Sequence, residues 1–415
     1  MIWSNGSPDP TNRPHSALAT MDASDEPDRS SATQALFGCV LALMLATGWV
    51  ANHFVALMPL ISGHQHLGAA TLDAIFAIYA VGLLPGLLIG GRASDALGRR
   101  SVALAGSTTA VVGTVAMLLS QQTDVLLAGR LIVGLGVGLA MTSCTAWASD
   151  LKGPAGAATA GAVLTAGFAI GPFAGGVIAW AGQPGIRVSF GVAAGIVMVA
   201  TFAVIVAARR ADVTAPATVH DSEPPSPARQ GTARALSWAL PLAPWVFASV
   251  TLGFVTIPAR LHTGLAAPVA AGAAALIVNG VSGVIQLVAR AGKWGPRAGT
   301  AGAVLASLGY AVTAVAPPTM TPALGVPLFL VLGCASGLLL REGLIDLEAA
   351  APRHLRGALT GVFYVVTYVG FGLPLILATT SPAVSAIILF LMALGASAAA
   401  VSRAVRLRRD GHRQP

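Results

Sequence analysis

Only a few residues in this 415-residue chain combine ionisable chemistry with a deeply apolar setting. Arg130 lies in the run Leu126–Gly134, His53 follows Asn52 in an otherwise apolar stretch, and Asp73 is the acid set deepest among apolar neighbours. A guanidinium at such depth costs on the order of 2.5–3.5 kcal/mol by insertion scales, so it requires a wet cavity or a partner, or else snorkels to the surface. An imidazole titrates near neutral pH and can carry a proton. Asp73 can do the same, or it can be an interfacial carboxylate. The chemistry on offer is proton binding and charge tuning, not covalent catalysis. No Asp-rich metal motif or His-Glu zinc pattern occurs, so neither an enzyme nor a cofactor site is expected. Cys39, Cys144 and Cys334 lie far apart inside apolar runs and read as packing residues.

The elements that position these groups follow from composition. Hydrophobic residues make up 55% of the chain and charged ones 10%, against roughly 25% charged in soluble domains. The apolar residues fall in runs of about 20, the length of a membrane-crossing helix. Twelve spans are read, at about 35–62, 70–90, 101–120, 123–148, 155–181, 189–208, 238–258, 266–289, 298–316, 323–342, 358–378 and 382–404. The expected fold is therefore all-α and membrane-embedded. Residues 1–34 are expected to be a disordered cytoplasmic N-terminus without the features of a removable signal peptide, and 35–208 the first six-helix bundle. Residues 209–237 read as a cytoplasmic linker rich in proline, 238–405 as the second bundle, and 406–415 as a basic tail. Basic residues crowd alternate loops (Arg92, Arg99, Arg100, Lys152, Arg209, Arg210), while the other loops hold little beyond Arg187 and Arg260. That bias places both ends inside. It also accounts for the net charge of +8 without a nucleic-acid partner. The halves echo one another about 200 residues apart: Gly98 with Gly295, Gly134 and Gly138 with Gly333 and Gly337, Gly161 with Gly361.

Two motifs carry a resemblance. Gly91, Asp95, Gly98, Arg99 and Arg100 lie between spans two and three in the order Gly-x-x-x-Asp-x-x-Gly-Arg-Arg, with Ala96 where a basic residue is usual. Gly167, Gly171, Pro172, Gly175 and Gly176 form Gly-x-x-x-Gly-Pro-x-x-Gly-Gly in span five. Together with six plus six spans and a central linker, these resemble the major facilitator superfamily, and the second motif resembles its twelve-helix drug:proton antiporter branch. The resemblance implies two pseudo-symmetric six-helix bundles, a gating loop at 91–100 and a hinge in span five. Arg130 resembles the arginine of the family's fourth-helix motif, implying a fixed charge that tunes a proton carrier or an anionic group. Glycines four apart stack on one helix face and admit a partner backbone, and Pro172 permits a bend.

The second half has little buried charge. Asn279, Gln286, Tyr364 and Tyr368 are its candidates for a substrate cavity, the two tyrosines one helical turn apart. Glu342, Asp346, Glu348, Arg353 and Arg356 could bridge the halves or form a solvated loop. Because Gly292 stands where Asp95 stands in the first half, a conformational latch is expected in the first half alone. The function expected is export of small amphiphilic compounds by proton antiport through alternating access. The alternative is a proton-coupled importer or facilitator of a small metabolite. The expected partners are a small-molecule substrate, protons and membrane lipid, with the chain acting as a monomer in the cytoplasmic membrane.

Overall fold

The computed structural model describes residues 25–212, 231–352 and 355–411. Twelve helices are long and apolar enough to cross a membrane: α1 (Ser31–Gln65), α2 (Ala69–Leu97), α3 (Arg99–Leu119), α4 (Thr123–Gly153), α5 (Ala155–Ala179), α6 (Gln183–Ala211), α7 (Thr232–Ala259), α8 (Ala267–Ala291), α9 (Arg297–Val315), α10 (Pro322–Ala350), α11 (Leu359–Thr379) and α12 (Pro382–Arg409). The only β pairing among the described residues is a bridge between Leu261 and Met320.

Three boundaries differ from those read in the sequence. The first helix begins at Asp25, not near 35. The second bundle opens with Thr232–Ala239, inside the stretch read as linker, and buries Ala235 and Ala239 beside Leu347 and Phe363. The last helix runs on to Gly411, where Arg406 donates to the Ser237 carbonyl at 2.7 Å. Residues 1–24 of the expected disordered segment, 213–230 of the linker, 412–415 of the tail and Arg353 lie outside the described residues.

The 90–100 stretch is not an extended loop. Helix α2 continues through Leu97 and α3 starts at Arg99, so the turn is confined to Gly98 with φ +88°. Only glycine takes that conformation without strain.

The duplication is visible in the packing. A Cβ placed on Gly138 of α4 would sit 2.6 Å from the Leu83 carbonyl of α2, and one on its counterpart Gly337 of α10 would run into the Ser282 carbonyl of α8. The same pair of helices is thus joined by the same glycine seam in each half. The helical irregularities correspond too. Helix α1 breaks at His53, and α7 carries a π-helical turn at Leu252–Thr256, about 200 residues on.

The glycines of α5 admit close approaches on two sides. Cβ atoms on Gly167 and Gly171 would lie 2.9 Å from Gly48 Cα and 2.8 Å from Trp49 Cα in α1. On the far side of the same helix, a Cβ on Gly272 of α8 would lie 2.6 Å from the Pro172 carbonyl. Helix α5 therefore holds its own bundle together and also forms the seam with the other. Gly161, by contrast, faces open space.

Gly167→Val must push α1 and α5 apart, and overpacking of this kind costs about 1–3 kcal/mol. Gly161→Ala should stabilise by up to about 1 kcal/mol by improving helix propensity. Thermal unfolding of both variants in detergent is expected to move Tm in opposite directions.

Candidate functional site

The face bearing Gly98, Lys152, Gly295 and Arg341 is rich in arginine and is called the arginine-rich face below. At the opposite face, a cavity of about 820 Å³ lies between α1 and α2 of the first bundle and α7, α8, α11 and α12 of the second. Its wall is mainly apolar, and its ionisable lining groups are Asp73, Arg260 and His262. Arg260 is engaged by the carbonyls of Ala316 and Pro317 at 3.3 and 3.4 Å. Asp73 sits one turn inside the start of α2, half-buried, and makes no ion pair with a described residue.

Phe254 forms part of this cavity's wall and also borders a void of about 20 Å³ nearer the middle of the helices. Around the void lies an aromatic layer drawn from both bundles, and Phe254 carries it to the cavity wall. Phe76 of α2 stacks on Phe371 of α11, with ring centroids 5.1 Å apart and planes at 9°. Phe254 meets Phe76 edge-on at 6.1 Å. Phe247 and Tyr368 close the second-bundle side at 4.5 Å. Local backbone irregularity aims these rings: Phe254 rides on the π-helical turn of α7, and Phe371 on a 3₁₀ turn at Val369–Gly372. Non-standard turns of this kind shift the register of a side chain within a helix and recur at functional sites.

The sequence candidates divide among several surroundings. Asn52, Asn279 and Tyr368 border the small central void. Asn279 spends its amide N–H on the Ala275 carbonyl of its own helix, 3.0 Å away. Tyr364 stacks beside Tyr368 at 6.4 Å, so the paired aromatic wall exists, but only Tyr368 reaches the void. Gln286 bonds back to Ser282 in α8 at 3.1 Å and borders neither space.

His53 departs from expectation. It is fully buried, edge-on to Phe190 of α6 at 5.4 Å, and lies outside both the cavity and the void. Its Nδ1 pairs with the Val50 carbonyl at 3.1 Å, and Nε2 has no partner.

Arg130 is also fully buried and does not snorkel. Its Nη1 donates to the Ala51 carbonyl at 3.0 Å, and the guanidinium lies over the rings of Phe54 and Tyr79, 4.8 and 4.4 Å from their centroids. Nε and Nη2 lack partners. Two desolvated cation–π contacts, each on the order of 2 kcal/mol, replace the carboxylate that would ordinarily offset such a charge.

Asn52 has a more specific task than lining a cavity. Pro172 has no N–H, so the carbonyl of Phe168 four residues earlier loses its helical partner. The Asn52 side-chain amide donates to that carbonyl at 3.4 Å. The backbone of α5 stays helical through Pro172; the non-helical dihedrals nearby lie at Lys152 and Gly153, before α5 begins. The expected bend is thus absent as a helix break, and the liberated carbonyl is taken up by α1.

In the 91–100 motif, Asp95 pairs with Arg99, which also donates to Asp150 of α4 at 2.8 Å and to Ser94 at 3.1 Å. Arg100 is among the residues with an interaction of its own. Gly91 faces open space. Glu342 and Asp346 of α10 find their arginine partners within the second half. Arg403 of α12 pairs with Asp346, lies 3.6 Å from Glu342 and donates to the Pro296 carbonyl at 3.1 Å. The second half thus has an arginine–carboxylate cluster of its own near the same end of α10, with its arginine supplied from α12. Ion-pair clusters are therefore present in both halves, where the sequence pointed to the first alone. Arg403 fell near the end of the last span read in the sequence, 382–404, beside the arginines of the basic tail, so its spacing gave no signal.

Sequence reasoning also missed Phe76, Phe254 and Phe371. The signal available was spacing: Phe76 and Tyr79 are three apart, and Tyr364, Tyr368 and Phe371 recur at four and three, so each set shares a helix face.

Comparison with known proteins gives a consistent picture. The family model described as Major Facilitator Superfamily matches residues 36–374. Multidrug resistance protein MdtL of Shigella flexneri serotype 5b (strain 8401) is 30% identical over 100 residues, 24% of this chain and 26% of that protein. MdtL of Escherichia coli (strain K12 / DH10B) is 29% identical over 100 residues with the same coverage. The match spans about a quarter of the length of these curated relatives. Among solved structures, the peptide transporter POT in complex with sulfate superposes with TM-score 0.73 at 13% identity, covering 90% of this chain and 95% of that one. The POT family transporter PepTSo superposes with TM-score 0.70 at 12% identity, covering 91% and 99%. At such identities the likeness is one of fold.

If Asn52 serves the carbonyl freed by Pro172, the two residues are energetically coupled. Asn52→Leu should cost about 1–2 kcal/mol through the unsatisfied carbonyl. In a Pro172→Ala background, where the backbone N–H is restored, the same change should cost little. A double-mutant cycle on thermal unfolding is expected to give a coupling near 1 kcal/mol.

Proposed function

The chain belongs to the major facilitator superfamily of transporters, and on that premise we propose that it exports small amphiphilic compounds by proton antiport through alternating access. The observation that carries this reading is the 820 Å³ cavity between the bundles, apolar over most of its wall and joined at Phe254 to the aromatic layer around the central void. Such a lining suits aromatic and aliphatic bodies with few polar groups. It suits sugars poorly, because they need many hydrogen-bond partners. The short stretch of similarity to a multidrug resistance protein supports the same direction.

In the mechanism we propose, the cavity is the outward-facing site. The arginine-rich face, with both termini, lies on the cytoplasmic side of the cytoplasmic membrane. Asp73 is the carboxylate lining the cavity, and it serves as the proton acceptor from the external phase. Arg130 is a fixed charge that holds Tyr79 and the α1 break in register beneath it. His53, walled off in the first bundle, is a structural residue in this scheme. The aromatic layer parts when the bundles rock, and the two arginine clamps keep each bundle rigid while α5 and α8 roll on their glycine seam. The chain works as a monomer, since a complete cavity forms within one copy.

One net charge crossing 100 mV supplies about 2.3 kcal/mol, enough for roughly fiftyfold accumulation. In inside-out vesicles with an acidified lumen, a fluorescent cationic amphiphile is expected to accumulate, and Asp73→Asn to lower that accumulation on the order of tenfold while the protein remains in the membrane. Absence of accumulation, with uptake by whole cells instead, would assign import.

A further inference from the structure

A second recess lies far from the cavity between the bundles. At the arginine-rich end of the second bundle, α9 and α12 splay to leave a groove of about 970 Å³. Farther along, the two helices are held together by Ser307 and Ser397, whose hydroxyl oxygens are 2.7 Å apart. At the groove, the turn before α9 is fixed by the bond from Arg403 to the Pro296 carbonyl.

The lining combines two kinds of surface. Arg297 and Arg408 supply guanidinium groups, and no carboxylate lines the groove among the described residues. Arg297 makes no ion pair with a described residue. Thr300 lines the groove as well, and its hydroxyl is buried without a hydrogen-bond partner. Val304, Leu305 and Leu407 make the remaining wall apolar. This wall runs into outward-facing stripes on both helices, where Val304, Leu308, Leu394 and Val401 are at least half exposed. Trp294 stands exposed at the groove's edge, and tryptophan favours the depth of lipid headgroups.

A compound bearing one phosphate and a long apolar chain meets both halves of this surface. We propose that the groove is a binding site for an anionic phospholipid. Its phosphate lies between Arg297 and Arg408 and accepts from the Thr300 hydroxyl, and one acyl chain lies along the α9–α12 seam. Phosphate–guanidinium pairing is charge-assisted and can be bidentate. Basic pockets between membrane helices select anionic headgroups on the same principle. Because Arg403 joins the groove's turn to Asp346 and Glu342, an occupied site braces the second bundle's clamp from the lipid side.

The test uses the full chain purified in detergent, supplied with phosphatidylglycerol or phosphatidylcholine of equal chain length, and read by native mass spectrometry. Retention of phosphatidylglycerol over phosphatidylcholine is expected. Arg297→Gln combined with Arg408→Gln should lower phosphatidylglycerol retention on the order of tenfold and leave phosphatidylcholine unchanged. Ala301→Trp, which fills the groove while keeping both arginines, should lower it too and serves should the charge variant fold poorly. Three outcomes would overturn the proposal: equal retention of the two lipids, unchanged phosphatidylglycerol retention in both variants, or a protein dimer that Ala301→Trp dissociates, which would assign the groove to a second copy.

Discussion

Everything in this molecule hangs on how closely α5 is allowed to approach its neighbours. Gly167 and Gly171 bring its backbone onto Gly48 and Trp49 of α1, and the Pro172 carbonyl meets Gly272 of α8 in the other bundle. No side chain fits between these backbones, so dispersion and shape hold the glycine contacts. Pro172 adds a cost, a carbonyl without its helical donor, and Asn52 meets it from α1. Once α1 is pinned there, its break at His53 is positioned, the Ala51 carbonyl is presented to Arg130, and the guanidinium in turn orders Phe54 and Tyr79. The buried charge is thus a consequence of helix packing as much as a partner in chemistry.

The two halves apply one plan with different parts. Both seat the fourth helix of the bundle against the second on glycines, and both tie the arginine-rich end of the fourth helix with an arginine. The sources of that arginine differ. Arg99 comes from the turn after α2 and is partly exposed, so its pairs with Asp95 and Asp150 are screened by solvent. Arg403 comes from α12 and is buried with Glu342 and Asp346, where removing one partner strands uncompensated charge. The second clamp is the stiffer one. A rocking motion that keeps each bundle intact requires stiffness inside the bundles and little at the seam between them, and the glycine-to-backbone contacts of α5 and α8 have that character.

Much of this was legible in the sequence. Twelve spans, the six-plus-six division and the duplicated glycines follow from run length and from spacing that repeats about 200 residues on. The α5 glycines four apart announced a packing face, though not that the face was α1 or that Pro172 would serve the other bundle. What the chain did not disclose depends on contacts between distant segments. Asn52 and Phe168 are 116 residues apart, and nothing local marks a proline's orphaned carbonyl as an asparagine's target. An Asn-His pair in an apolar run reads as a cavity lining because it is polar, yet His53 packs against Phe190 inside the first bundle. The aromatic layer draws on α2, α7 and α11, and whether Phe254 faces lipid or the seam is decided by a π-helical turn that the residues themselves do not announce. Arg403 was hidden by its company, being one arginine among several at the end of the chain.

The central claim is that the two bundles move as rigid bodies about the α5–α8 seam, opening and closing the cavity that Asp73 lines. Spin labels at Ser62→Cys in α1 and Ala386→Cys in α12, both in the cavity wall and on opposite bundles, would report this directly in a background lacking the native cysteines. Double electron–electron resonance in liposomes should give two distance populations whose ratio shifts with pH and with an added amphiphile. A single distance, unmoved by either, would contradict the account.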